Sequence, residues 1–136
     1  MATTSIYPVL MVDDVAGAAD FFRDHLGFTT TFAADWYISL RHGTWELALL
    51  DAAHPTVPDR WRGARAQGVL VNVEVDDVDS VYRRLVEHGP LEAVLPLRSE
   101  AFGQRHFIVE GPAGALVDVI TPIEPDESFA AQFSGA

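Results

Sequence analysis

His106, Glu46 and Asp118 are the residues of this sequence best suited to acid–base chemistry. His106 lies in Gln104–Glu110, an apolar run typical of a β-strand, and strand alternation places it on the same face as Ile108. A histidine beside a carboxylate in an apolar pocket can be tuned for proton transfer near neutral pH. The candidate chemistry is therefore general acid and base catalysis by His106 with Glu46 or Asp118.

Two aspartates, Asp14 and Asp77, have a simpler interpretation. Each follows an apolar run and precedes an amphipathic segment, where a carboxylate accepts hydrogen bonds from the free amides of a first helical turn. His25 and His88 stand in the last turns of the same two segments, where a cationic side chain suits the helix end. We interpret all four residues as structural.

Charge and composition exclude several functions. The 136 residues carry 20 acidic and 9 basic side chains, a net charge of −11, so we expect neither nucleic acid nor an anionic membrane as partner. The chain has no cysteine, no apolar run long enough to span a bilayer, and no basic stretch followed by an apolar core near Met1. We expect a cytoplasmic globular protein.

The elements that position these residues occur twice. An offset of 63 positions superposes Val12-Asp13-Asp14-Val15 on Val75-Asp76-Asp77-Val78, and also His25 on His88. Apolar periodicity and turn residues predict β-α-β-β-β in each copy. We predict an α+β fold with module one at residues 5–51, a linker or lid at 52–68, module two at 69–122, and a tail or short helix at 123–136.

The predicted elements of module one are strands over Ile6–Val12, Phe28–Phe32, Trp36–Arg41 and Trp45–Leu50, with a helix from Asp14 to Gly27. Those of module two are strands over Val69–Val75, Ala93–Leu97, Gln104–Glu110 and Leu116–Thr121, with a helix from Asp77 to His88. Between the modules, prolines and glycines around Trp61 indicate a linker that could fold over a site.

These motifs resemble a known family. The paired Val-Asp-Asp-Val strand ends, Gly103-Gln104-Arg105-His106-Phe107, and the turn Gly111-Pro112-Ala113-Gly114 before a strand are similar to the vicinal oxygen chelate superfamily. That superfamily contains glyoxalase I, extradiol dioxygenases, fosfomycin resistance enzymes and bleomycin resistance proteins. The resemblance covers Ile6 to about Thr121. It implies that each module curls a mixed sheet and that the two sheets enclose a cup-shaped cavity.

The resemblance also locates the family's metal ligands. The corresponding positions are Tyr7 and Glu46 in module one, and Leu70 and Asp118 in module two. Leu70 cannot bind a metal and a tyrosine is a poor ligand for the ions such enzymes use, whereas a catalytic site needs about three protein ligands. His106 is the one residue that could complete the set. The expectation is therefore no metal and no other cofactor.

Without a metal, the cup is a small-molecule pocket. Its expected ligand-binding residues are apolar and aromatic with a few polar groups: Tyr7, Met11, Trp36, Glu46, Leu50, Asn72, Glu74, His106, Ile108 and Asp118. Carboxylates with Trp36 suit a cationic or amine-bearing ligand. The nearest relatives by this resemblance are metal-free proteins of the bleomycin-resistance type, which sequester an antibiotic or other natural product.

An enzyme remains the alternative: a lyase, isomerase or dioxygenase of the same superfamily, with or without metal, using His106 with Glu46 or Asp118. A third interpretation leaves His106 purely structural. Because each predicted sheet has open edges, and because Phe129 and Phe133 need covering, we also expect a homodimer.

Overall fold

The computed structural model describes residues 1–65 and 67–133 and contains two four-stranded mixed sheets. The strands of the first sheet are β1 (Val9–Val12), β2 (Thr29–Ala33), β3 (Tyr37–His42) and β4 (Trp45–Asp51), in the order β1-β4-β3-β2. Those of the second are β5 (Leu70–Glu74), β6 (Ala93–Glu100), β7 (Gln104–Glu110) and β8 (Leu116–Pro122), in the order β5-β8-β7-β6. The repeated order confirms the predicted α+β class and the tandem β-α-β-β-β modules.

Helix α1 (Val15–Leu26) covers one face of the first sheet. It begins at Asp14, whose side chain accepts the Gly17 amide at 2.9 Å, and it ends at Gly27 in the left-handed conformation with φ +75°. The apolar stripe of α1 packs on alternate residues of the strands. Fully buried members of this core include Phe22, Val12, Leu40 and Leu49.

Module two repeats the arrangement with one change. Asp77 accepts the Ser80 amide and caps α2 (Val78–Tyr82), but the predicted helix to His88 continues only as a π-helical turn, Arg83–Glu87. The π-helical turn ends just before Gly89. A Cβ at position 89 would lie 2.1 Å from the Arg84 carbonyl oxygen, so only glycine fits at this position.

Several strand bounds differ from the predicted ones. Strand β1 begins at Val9 rather than Ile6, because Pro8 has no amide to donate, although its carbonyl still accepts the Ala48 amide at 3.1 Å. Strand β6 extends to Glu100 rather than ending at Leu97. Its two register shifts, on either side of Leu95, interrupt the alternation from which a strand is recognised.

Residues 52–65 pack against module one. Ala52 and Val57 are buried, the Ala52 amide donates to the Val12 carbonyl at 2.9 Å, and Arg65 forms an ion pair with Asp13. The segment predicted as a linker or lid is thus an ordered loop over most of its length. Ala66 lies outside the described residues.

A short helix, α3 (Glu127–Ala130), follows β8. It lies within the predicted tail or short helix at 123–136, is capped by Asp126 and ends at Ala130. No helix in the described ranges has both the length and the apolar content needed to cross a bilayer.

Candidate functional site

Three of the predicted ligand-binding residues, Met11, Glu46 and Leu50, share the face of the first sheet opposite α1. We call this the first open face. Met11 pairs with Leu50 in register, and Glu46 lies four residues before Leu50 on the same strand. The Glu46 carboxylate accepts the Ser5 hydroxyl at 2.9 Å and lies 3.5 Å from the Arg41 guanidinium. Glu46 is therefore partly compensated in charge.

An aromatic cluster stands beside the first open face. Trp36 precedes β3, and its ring stacks on His54 with centroids 4.0 Å apart and planes inclined by 14°. Tyr37 contacts Trp36 at 5.6 Å and Phe32 at 6.2 Å, both between ring centroids. The Trp36 side chain stays 37% exposed, so a flat aromatic surface is open to solvent.

Tyr7 does not lie in a strand, contrary to the prediction that placed it on the first one. It precedes β1 and is 45% exposed. Its phenol lies close enough to Tyr37 to affect that residue: burial raises the Tyr37 pKa, and the neighbouring Tyr7 hydroxyl raises it further. Tyr7 is thus part of the aromatic cluster rather than of the sheet.

The remaining predicted residues meet on the second sheet, on the face opposite α2, which we call the second open face. Asp118 on β8 pairs in register with Asn72 on one side and with Ile108 on the other. Ile120, two residues further, pairs with Glu74 and His106. All five predicted residues of module two therefore belong to one surface.

His106 lies at the centre of a hydrogen-bonded chain on the second open face. Its Nδ1 is 2.8 Å from Asp118 Oδ1 and its Nε2 is 2.8 Å from Glu100 Oε2. The same Glu100 oxygen accepts from Arg98 Nε at 2.7 Å. The His106 side chain is 7% exposed and that of Asp118 is 8% exposed. Two carboxylates and two cations thus alternate through four adjacent side chains.

The charges of these four hydrogen-bonded side chains favour the protonated form of the His106 imidazole. Burial lowers the His106 pKa, but the hydrogen bonds to the Glu100 and Asp118 carboxylates and their negative charges outweigh this effect, so the pKa lies above its ordinary value. The hydrogen bond from His106, helped by Arg98, lowers the Glu100 pKa. Burial raises the Asp118 pKa, although the hydrogen bond and charge of His106 oppose it. In its protonated form, His106 donates from both nitrogens to the flanking carboxylates.

Glu100 and Arg98 were not among the predicted site residues. The predicted strand ended at Leu97, so both fell outside the predicted strands. One signal could have found them: a hairpin turning at Phe102-Gly103 pairs Glu100 with Gln104 and Arg98 with His106, as observed. The candidate site consequently includes a carboxylate and a guanidinium from β6.

The residues present do not fit the divalent metal that the superfamily's enzymes use. Leu70 offers no donor atom, and both His106 nitrogens are hydrogen-bonded to carboxylates. The Arg98 guanidinium already donates to the Glu100 oxygen that a metal ion would need. Across residues 1–65 and 67–133, no three His, Asp or Glu side chains are grouped so as to hold a metal ion.

The same geometry limits proton transfer. A general base needs a free lone pair within reach of the substrate, whereas an imidazolium with both N–H groups bonded has none. Asp118 and Glu100 each accept from His106 through one oxygen. The hydrogen-bonded cluster therefore fixes these side chains on the second open face and engages both nitrogens of the imidazole.

Comparison with known proteins identifies the class. Residues 5–119 match the Glyoxalase/Bleomycin resistance protein/Dioxygenase superfamily, and the chain belongs to that superfamily. No match was found among curated proteins.

Solved structures share the fold. A glyoxalase/bleomycin resistance protein/dioxygenase from Nocardioides is 22% identical, covers 91% of this chain and 87% of its own, and has a TM-score of 0.73. A lactoylglutathione lyase from Agrobacterium tumefaciens is 20% identical over 88% of this chain and 95% of its own, with a TM-score of 0.69. An integron cassette protein of V. cholerae is 23% identical over 89% and 97%, with a TM-score of 0.66.

Proposed function

We propose that this protein binds a small molecule without transforming it, as a metal-free member of the bleomycin-resistance type. One observation carries the proposal: both nitrogens of His106, the most promising catalytic group, are bonded to carboxylates at 2.8 Å. The group that would have to exchange protons with a substrate is engaged, whereas the Trp36 indole is exposed and available to a ligand.

The proposed ligand is cationic or amine-bearing and contains a flat ring. Trp36 offers an exposed indole already stacked on His54, and aromatic faces attract both planar rings and cations. The chain's net charge of −11 attracts cations from a distance. An antibiotic with these features would be sequestered, which is the basis on which we propose a role in resistance.

Catalysis is the competing function, and the lactoylglutathione lyase among the structural neighbours shows that this fold supports it. For His106 to act as a base, Glu100 would have to leave Nε2, so that a dyad of His106 and Asp118 remained. The proposed binding function needs no such rearrangement.

A calorimetric titration tests the proposal with two cationic probes, bleomycin and ethidium. We expect Trp36→Ala to weaken binding by on the order of 2 kcal/mol, about thirtyfold, through lost aromatic contact. Trp61→Ala is the matched control. Trp61 is also exposed, but the Arg60 guanidinium lies over its ring, 4.7 Å from the ring centroid. Its affinity should match that of the wild type.

The proposal has clear contradicting outcomes. If neither probe binds, the cationic ligand class is wrong. If affinity is unchanged in Trp36→Ala and falls in Trp61→Ala, the ligand lies under the loop at residues 52–65 and not at the aromatic cluster.

A further inference from the structure

The segment after β8 folds back onto the turn between β6 and β7. The Ile123 amide donates to the Gly103 carbonyl at 2.9 Å, and the Asp126 amide donates to the Ala101 carbonyl at 2.7 Å. Asp126 then caps α3 through its side chain, which accepts the Ser128 amide at 3.2 Å. Two main-chain hydrogen bonds thus attach residues 123–130 to the turn.

Two aromatic rings connect this segment with His106 and its charged neighbours on the second open face. Phe102, at the tip of the turn, meets the His106 ring edge to face at 6.5 Å between centroids. Phe129 of α3 meets Phe102 in the same way at 6.3 Å. His106 is buried although its neighbours on that face, Gln104 and Ile108, are only half-buried. Phe102 therefore packs against the His106 ring, and Phe129 packs against Phe102.

Glycine is required where the segment meets the turn. Gly103 has φ +111°, and a Cβ there would lie 3.1 Å from the Ile123 carbonyl oxygen and 3.4 Å from Pro125 Cβ. Any side chain at this position would strain the backbone and push residues 123–125 away. The close approach is thus specific to the sequence at position 103.

The attachment is nevertheless weak. Phe129 is 39% exposed and Phe102 is 42% exposed, and no residue of α3 is buried. A four-residue helix attached through two main-chain hydrogen bonds belongs to the part of a protein that opens at low free-energy cost.

We propose that residues 123–130 form a lid that acts through Phe102. When the segment detaches from the β6–β7 turn, Phe102 loses its contact with Phe129 and can move away from His106, which opens His106 to a ligand. The lid goes beyond the proposed binding function, because it concerns access to the second open face and holds whether the ligand is bound or transformed. It predicts that loosening the segment increases solvent access to His106.

Hydrogen exchange of the full chain without ligand tests the attachment. In Gly103→Ala, the Ile123 and Asp126 amides should exchange about tenfold faster or more than in the wild type, while the buried β8 amides stay unchanged. Gly68→Ala is the matched control, because Gly68 has φ +73° in the same unit but no atom within 4 Å of an added Cβ.

Hydroxyl-radical footprinting tests the covering of His106. We expect Phe129→Ala to raise both the exchange of the two amides and the oxidation of His106, whereas Phe133→Ala, beyond α3 and 62% exposed, leaves both unchanged. If Phe129→Ala does not speed hydrogen exchange at either amide, or speeds it without raising His106 oxidation, there is no lid. Neither measurement uses a ligand, so failure here is separate from failure of the binding proposal.

Discussion

His106 Nδ1 and Asp118 Oδ1 lie 2.8 Å apart although their strands are joined through a turn and 12 residues separate them in sequence. They are diagonal neighbours, because His106 pairs in register with Ile120 and Asp118 with Ile108. The antiparallel pairing of β7 and β8 brings the two groups together, and Glu100 then completes the enclosure of the imidazole. Removing any of the three should change the behaviour of the other two.

Stability should depend on pH through this cluster. Because the folded protein raises the His106 pKa above 6.5, the stabilisation is complete below 6.5 and is lost as the pH rises through the raised value. Glu100 acts in the opposite direction: its pKa is lowered from 4.5, so its contribution is present above 4.5 and is lost as the pH falls through the lowered value.

Urea denaturation across pH measures this dependence. We expect a plateau of unfolding free energy from about 4.5 to 6.5 with a decline on the alkaline side. The alkaline decline should be missing in His106→Gln. An identical alkaline slope in the variant and the wild type would show that His106 is not the group responsible.

Truncating His106 should cost more than replacing the whole pair. His106→Ala leaves the buried Asp118 carboxylate without its cation, which should destabilise the protein by about 3 kcal/mol. The double variant His106→Leu with Asp118→Leu removes both charges and should recover most of the loss. If the double variant is no more stable than His106→Ala, the cost comes from lost packing and not from an unpaired charge.

Strand alternation and the repeat predicted a large part of this site. The repeated Val-Asp-Asp-Val strand ends located both helices with their aspartate caps, and alternation over 104–110 placed His106 beside Ile108 on the open face. These features depend on local periodicity and on hydrogen bonds within one turn, which a sequence displays directly.

Other contacts depend on geometry that no period displays. Glu100 was missed because the register shifts around Leu95 hide the strand that carries it. The stack of Trp36 on His54 joins two segments through a loop conformation, and no spacing rule relates them. Tyr7 was misplaced because its neighbour Pro8 interrupts the ladder at the start of β1.

Metal content follows from the donor set. Protein purified without chelator should carry well under one equivalent of Zn, Ni, Mn or Fe, because Leu70 offers no ligand and His106 is already bonded at both nitrogens. Plasma emission spectrometry measures this. Near-stoichiometric metal that is lost in Glu46→Ala would show that Glu46 belongs to a metal site, and would overturn the metal-free proposal.

A homodimer remains our expectation. Strand β2 is a sheet edge whose five residues are all exposed and uncharged, whereas the equivalent edge strand, β6, carries Pro96, Arg98 and Glu100. Unprotected edges tend to pair with another chain. Sedimentation at micromolar concentration should give a dimer, which Thr30→Pro weakens by blocking the edge. A monomeric wild type would contradict the expectation.

Native mass spectrometry of the protein taken from its producing cells tests the central claim most directly. The account predicts a non-covalent complex with one small cationic molecule, which is released on denaturation and keeps its mass after prolonged incubation with fresh protein at neutral pH. A released molecule whose mass changes during that incubation, with the change abolished in His106→Gln, would show that the protein is an enzyme.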